Sequence, residues 1–299
     1  MAEQEGGEKA NTPPLLGHVL VTGGSGFLGH HIVSLLSSRK ACDKLTSLDL
    51  RAAPKPVAGV QYEQGDITDY DAMLKLLGRL QPTAVIHTAS PNAMNNKNTQ
   101  LMYDVNVTGT KTLIRAAQEN GVKAFVYTSS ASVIHDTVSN LVNANETYPL
   151  IMGAQQPEYY TTTKAQAETH VLASNRAPSH PDFLTAAIRP SAMFGEGDVQ
   201  LLPPGLSAYY RGQTKFQIGD NENLFDFTEI TNVAHAHHLA LAALLATRDR
   251  DAKGLAARLG YKPVVKLEEG IRRGVRDALF RGVVVGQPPE LKGKLVEVE

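Results

Sequence analysis

The sequence predicts an α/β fold, a doubly wound parallel sheet with helices on both faces and a small C-terminal substrate region. Three observations predict it. Short apolar runs alternate with helical periods up to about residue 190, as they do when parallel strands are joined by crossover helices. A glycine-rich stretch, "VTGGSGFLGHH", stands at the first strand-to-helix junction. The chain has 299 residues, enough to bury roughly 75% of its unfolded surface without a metal or disulfide staple.

The elements follow in order. "HVLVTGG" reads as a strand and "FLGHHIVSLLSS" as a helix; "KLTSLDL" and "VQYEQGDI" are the second and third strands. "YDAMLKLLGRL" is helical and "TAVIHTAS" is the fourth strand. Met102, Val105, Gly109, Thr112, Leu113 and Ala116 mark one face of a long helix. "AFVYTSS" is the fifth strand, the segment around Tyr160 a helix, and "LTAAIRP" the sixth strand. Beyond Pro190 the alternation weakens. "SAMFGEGD" and "LLPPGLSAYYRG" suggest loops and one helix, and "ITNVAHAHHLALAALLA" a long helix. The chain then turns charged and ends in an amphipathic "LEEGIRRGVRDALF" and a polar tail. The expected organisation is a disordered leader at 1–16, a dinucleotide-binding domain at 17–190 and a substrate-binding region at 191–299.

Composition narrows the function classes. A net charge of -1 gives no basic field for nucleic acid. The single cysteine, Cys42, forms no internal bridge, which fits a reducing compartment. The acidic, polar N-terminus lacks the apolar stretch of a signal peptide. "LALAALLA" falls short of the ~20 residues of a membrane span. The expectation is a soluble or peripheral protein, and the "NVT" and "NET" at Asn106 and Asn145 carry no sugar in a cytosol-facing chain.

The chemistry-bearing residues fall at strand ends. Gly23, Gly26 and Gly29 let a backbone approach a phosphate, and the helix that follows offers free N–H groups and a positive dipole end to a pyrophosphate. Asp49, 20 residues beyond Gly29, can accept hydrogen bonds from ribose hydroxyls and favours NAD. Arg51 offers the alternative, a hold on the 2′-phosphate of NADP. Asp66 and Ile67 end the third strand where an adenine could be gripped, and Asp66 could instead cap the next helix. Ser129, Ser130 and Ser132 close the fifth strand, where ligands of parallel sheets bind. Tyr160 precedes Lys164 by one helical turn in "EYYTTTKAQAE". A tyrosine with its ordinary pKa near 10 is a poor base at neutral pH, and a neighbouring ammonium is expected to lower it. His235, His237 and His238 suggest a metal cluster, but only His235 and His238 share a helix face and no carboxylate or cysteine completes a site. No metal site is expected. These three are expected on a helix surface or lining a pocket, and His30 and His31 on a helix surface or in packing.

Taken together, the glycine turn, "GDI", "HTASP", "YTSSAS", "YTTTK" and "IRP" resemble the extended short-chain dehydrogenase/reductases over residues 18–246. The finer resemblance is to their 3β-hydroxysteroid dehydrogenase branch, carried by "LGHVLVTGGSGFLGHHIV", "VIHTASP", "TSSASVI", "IRPSAMFGEGD" and "GDNENLFDFTEITNVAHAHHLA", and within it to the fungal decarboxylating sterol-4α-carboxylate 3-dehydrogenases. Ile134-His135 stands where sugar-nucleotide epimerases usually carry Tyr-Gly. The resemblance implies a Rossmann-type fold with Tyr160 as acid/base, Lys164 as its electrostatic partner and ribose ligand, and Ser130 holding the substrate oxygen. Tyr159 and Ser129 are neighbours that miss the register. It implies NAD, with NADP as the alternative, bound by Gly23, Gly26, Phe27, Leu28, Gly29, Asp49, Asp66, Ile67, Thr88, Lys164 and Pro190, with Asn106 in a supporting helix. The implied reaction oxidises the 3β-hydroxyl of a 4α-carboxysterol to a ketone, after which the β-keto acid loses carbon dioxide. A related dehydrogenase acting on another bulky alcohol in secondary metabolism is the alternative enzyme, and a non-catalytic dinucleotide-binding protein the alternative of another class. Implied partners are a sterol-like substrate, a homodimer or a sterol-demethylation complex, and peripheral contact with the cytosolic face of the endoplasmic reticulum. One departure stands out: a block typical of the branch is missing near Lys253–Leu255, which leaves the C-terminal substrate region partly truncated.

Overall fold

The computed structural model describes residues 16–92, 98–215, 220 and 225–246, with residues 265, 269, 271 and 273. The expected leader up to residue 15, the junction near 253–255 and most of the closing amphipathic segment lie outside the described residues. Six parallel strands form the central sheet: β1 (His18–Thr22), β2 (Lys44–Asp49), β3 (Gln61–Gln64), β4 (Ala84–His87), β5 (Ala124–Thr128) and β6 (Leu184–Ile188). Their order is β3-β2-β1-β4-β5-β6. The chain reverses its direction of travel across the sheet between β1 and β4, and a crevice opens there beyond the carboxyl ends of the strands.

The helices are α1 (Phe27–Ser38), α2 (Tyr70–Leu80), α3 (Thr99–Tyr103), α4 (Thr110–Glu119), α5 (Tyr159–Ala173), α6 (Leu202–Tyr210) and α7 (Ile230–Ala246). Alternate residues of each strand serve opposite faces. Val19, Val21, Ile86 and Val126 pack with Ile32 and Leu36 of α1 and Leu241 and Leu244 of α7. Leu20, Val85 and Phe125 pack with Leu77 of α2, Leu113 of α4 and Val171 of α5. Asp69 caps α2, accepting from the Ala72 N–H at 2.9 Å. Asp66 therefore does not cap that helix; its carboxylate binds the Thr68 N–H and hydroxyl, each at 2.8 Å.

Two features depart from the sequence reading. Between α3 and α4 the helix widens into a π turn, Asp104–Gly109. The extra residue shifts the buried face by one position, so Asn106 turns inward and Val105 is only half-buried. "SAMFGEGD", expected as loop, contains a strand, β7 (Ala192–Phe194), which pairs in parallel with β8 (Phe227–Glu229). Three residues with so distant a partner leave no local pattern. Glu229, the last residue of β8, stands before the start of α7 and accepts from Thr231 N–H at 2.8 Å, Asn232 N–H at 3.1 Å and the Thr231 hydroxyl. Asn232 then binds the main chain of Val265 both ways, Nδ2 to the carbonyl at 2.8 Å and Oδ1 from the N–H at 2.9 Å. Val265 is thus fixed against α7.

Candidate active site

The glycine turn is shaped by backbone crowding. Gly23 has φ +71, and a side chain there would sit 2.7 Å from the Ala89 nitrogen. A side chain on Gly29 would sit 2.1 Å from the Gly23 carbonyl oxygen. Thr88, at the end of β4, donates its hydroxyl to Thr22 O at 2.8 Å and approaches Gly23 O at 3.4 Å, so β4 buttresses the turn. Gly26 begins α1 with no side-chain cap, leaving first-turn N–H groups available to an anion. Asp49 stands beside this turn, accepting from the Ser25 N–H at 3.1 Å and the Arg51 N–H at 3.2 Å. Its carboxylate disfavours a 2′-phosphate nearby. Leu28 and Ile67 turn into the core, Ile67 beneath Gly109, so neither presents its side chain at the surface. Phe27 is half-buried and packs edge-on to His31. Pro190 follows the end of β6, its carbonyl accepting from Ala131 N–H at 2.9 Å.

The C-terminal end of β5 gathers the serines and α5. Ser130 Oγ accepts from the Ser132 N–H at 3.2 Å and meets Ser132 Oγ at 2.8 Å. Thr161 donates its hydroxyl to Ser132 Oγ at 3.0 Å. Either serine can donate in that pair, because Ser132 Oγ keeps a second lone pair beside the one that takes the Thr161 hydrogen. Ser129 is buried and its hydroxyl has no partner among the described residues.

Lys164 is buried at 2% exposure and donates to the Thr128 carbonyl at 2.5 Å, with its ammonium 4.4 Å from the centre of the Tyr127 ring. Burial pulls it down to about 7, with the Glu168 carboxylate resisting. Burial also pushes the Tyr160 phenol up to about 12, against an opposing pull from its hydrogen bond with Ser90. The expected acidification of the phenol by the ammonium is therefore corrected in this protein. Both groups lose water, and desolvation penalises each charged form more than either supports the other.

Sequence reasoning missed the residues that hold this pair in place. Glu168, one turn past Lys164, is buried and chelated by Arg189, with Nε–O distances of 3.0 and 3.1 Å and Nη2–Oε1 at 2.5 Å. Its spacing of four from Lys164 was a readable signal; the partner just past β6 was not. His237 also departs from expectation. It is fully buried, binding Val233 O through Nδ1 at 2.8 Å and the Thr128 hydroxyl through Nε2 at 2.8 Å, and burial pulls it down to about 4. His235 and His238 instead accept from Arg39, at 3.1 and 3.2 Å. His31 bonds the Glu196 carbonyl at 2.7 Å. Among the described residues no three His, Cys, Asp or Glu side chains gather as a metal site.

One stability prediction follows from Lys164. Between about pH 7 and its ordinary value of 10.5, the unfolded chain holds a proton on this residue that the folded chain lacks. Stability rises with pH across that window. Lys164→Met removes the buried charge, so its melting temperature is expected to exceed the parent's below about pH 7, and the gain to fade toward alkaline pH. Thermal unfolding across pH checks this, and an equal or lower melting temperature in acid would count against it.

The profile of the 3-beta hydroxysteroid dehydrogenase/isomerase family matches residues 20–256. The chain belongs to this family. Among curated relatives, it is similar to the decarboxylating sterol-4-alpha-carboxylate 3-dehydrogenases of Saccharomyces cerevisiae, with 39% identity over 78% of this chain and 67% of the yeast protein. The Schizosaccharomyces pombe enzyme of the same name shares 40% over 75% of this chain and 64% of its own length. The mouse enzyme shares 40% over 74% and 58%. The chain thus spans about two thirds, or less, of the length of these relatives. Solved structures share the fold. Thermus thermophilus UDP-glucose 4-epimerase with NAD aligns at TM-score 0.69 and 23% identity, over 89% of this chain and all of that one. Streptomyces venezuelae dTDP-glucose 4,6-dehydratase with NAD aligns at 0.73 and 21%, over 90% and 99%. This family member therefore has the Rossmann-type architecture expected of it. No helix among its described residues is long and apolar enough to cross a membrane.

Proposed function

We propose that the protein is an NAD-dependent dehydrogenase that oxidises the 3β-hydroxyl of a 4α-carboxysterol to a ketone, with loss of the carboxyl group, in sterol biosynthesis. The observation that carries this reading is 39–40% identity to enzymes named for that reaction over about three quarters of the chain, beside a family match over residues 20–256 that holds the glycine turn, Ser130, Tyr160 and Lys164. The cleft fits a dinucleotide: side chains are barred at Gly23 and Gly29, α1 begins uncapped, and Asp49 waits for ribose hydroxyls. The preference for NAD over NADP rests on that carboxylate.

In this reading Gly23, Gly26 and Gly29 admit the pyrophosphate, with the main chain at Phe27, Leu28, Asp66 and Ile67 and the Thr88 and Pro190 region lining the rest. Held there, NAD would supply the acceptor for the hydride that leaves C3. Tyr160 takes the hydroxyl proton, Ser130 donates its hydrogen to the same oxygen, and Lys164 holds ribose and offers positive charge. The C4–carboxylate bond then breaks heterolytically, its electron pair passing into the new C3 ketone to give an enolate, which is protonated at C4. No further residue is needed for that step. The proposed setting is peripheral, on the cytosolic face of the endoplasmic reticulum, with a homodimer or a sterol-demethylation complex as assembly.

The purified chain, given NAD and a 4α-carboxysterol, is expected to form NADH and release one carbon dioxide per ketone. Formation of NADH from other bulky alcohols but not from this one would replace the substrate assignment. NAD binding without turnover would make the chain a non-catalytic dinucleotide-binding protein.

A further inference from the structure

His237 belongs to α7, yet its ring reaches the end of β5. The direction of its hydrogen bonds follows from which atoms can donate. The Val233 carbonyl only accepts, so Nδ1, 2.8 Å away, carries the ring hydrogen. Among the described residues no carboxylate bonds this ring, and its full burial keeps it neutral. Nε2 is then a lone pair, and the Thr128 hydroxyl donates to it at 2.8 Å. Thr128 in turn carries the carbonyl on which the Lys164 ammonium rests, at 2.5 Å. That carbonyl shares a planar peptide with the Ser129 N–H, which binds Ile188 O of β6 at 2.7 Å. It therefore points away from β6, toward β4, whose pairing with β5 stops one residue earlier at Tyr127. A single bond to β6 leaves this peptide free to roll about the strand axis. The Thr128 hydroxyl, fastened to α7, stops the roll.

We infer that His237 is a positioning residue for Lys164: its Nε2 lone pair takes the Thr128 hydrogen and so fixes the carbonyl that holds the ammonium. The significance for turnover rests on the role proposed for Lys164 above. The line from Val233 through His237 and Thr128 ties the lysine to α7, the helix on which Asn232 also holds Val265. A fixed carbonyl favours the charged lysine, because an ammonium loses more than a neutral amine when its acceptor turns aside. Among the described residues, the titratable and charged groups facing the ammonium are Glu168 on α5, with Arg189 behind it, Tyr127 on β5 and His87 on β4. None of them is altered in the test, and removing a neutral His237 takes away no charge.

The test is a nitrogen-15 NMR titration of the lysine amines in the full, cofactor-free chain, with the Lys164 resonance assigned by Lys164→Met. Thr128→Val keeps the side-chain shape and the main-chain carbonyl but has no hydrogen for His237. It is expected to lower the pH at which Lys164 loses its proton by about one unit, part of the worth of a hydrogen bond to a charged group. Thr128→Ser keeps the donor and is expected to titrate like the parent. His237→Phe is expected to give the same shift as Thr128→Val, and the two changes together no more than either alone, because both break one line. If His237→Phe does not fold, the valine and serine variants at Thr128 still decide. A bond that served stability alone would lower the melting temperature of Thr128→Val and leave the lysine unmoved. That outcome, or an upward shift, would overturn the inference, as would an imidazole nitrogen-15 spectrum of the parent with the His237 hydrogen on Nε2. The readout needs no turnover, so an inactive chain with the expected shifts would count against the proposed function alone. An active chain without them would count against this inference alone.

Discussion

Tyr160→Phe is expected to cut NADH formation by ~10²–10⁴-fold, the usual worth of a positioned acid or base, while NAD binding and folding stay near the parent's. The phenol is half-buried at the start of α5, and its hydroxyl partner Ser90 is exposed. Losing that bond costs about 1 kcal/mol or less, so a stability defect does not explain a large loss of rate. Oxidation in the parent should also quicken with rising pH. Burial holds the phenol at about 12, so the base form is scarce at neutrality and grows tenfold per unit. The phenylalanine variant has no such group and its residual rate is expected to lose that rise. Steady-state kinetics against pH, beside NAD titration by thermal shift, separates these effects. Full turnover in the variant would remove Tyr160 from the chemistry.

Much of the frame was readable because local signals agreed. The bounds of α1, α2 and α7 coincide with the apolar periods "FLGHHIVSLLSS", "YDAMLKLLGRL" and "ITNVAHAHHLALAALLA". All six strands fall inside the runs read as strands, and β1, β4, β5 and β6 have the apolar character that a buried parallel sheet demands, whereas the edge strand β3 is polar. The features that escaped are non-local or polar. β7 and β8 find each other across more than thirty residues, and the π turn breaks the 3.6-residue rhythm that placed Val105 inward. α5 shows no apolar stripe because it buries Thr161, Thr163, Lys164 and Glu168 among its alanines. A polar residue with a partner on another element is indistinguishable, in a bare sequence, from one that faces water. The same blindness hid His237 in the core, and the sign of the Tyr160 shift. Spacing shows that an ammonium is one turn away, whereas the cost of drying both groups depends on everything packed around them.

The largest stability loss is expected from Arg189→Ala. The Glu168 side chain is 1% exposed and its only ion pair among the described residues is the Arg189 guanidinium, itself 19% exposed. Removing the arginine leaves a carboxylate buried and uncompensated, which costs ~3–5 kcal/mol in comparable sites. For a domain of this size that lowers the melting temperature by roughly 10 °C. The intact pair is a different matter, because its attraction is largely offset by the desolvation of both ions. Replacing both residues together, Glu168→Leu with Arg189→Leu, is therefore expected to recover most of what the single change loses. The pair also stands between stability and the site. Glu168 supports the charged form of Lys164, so in Arg189→Ala the unneutralised carboxylate should hold the lysine proton to higher pH. In the double variant that support is gone and the lysine should lose its proton at lower pH than in the parent. Thermal unfolding of the three proteins, with NAD affinity followed across pH, tests both halves. A single variant as stable as the parent would mean that the carboxylate is either protonated or wet. A double variant no better than the single would mean that the pair contributes through geometry, by tying α5 to the end of β6, more than through charge.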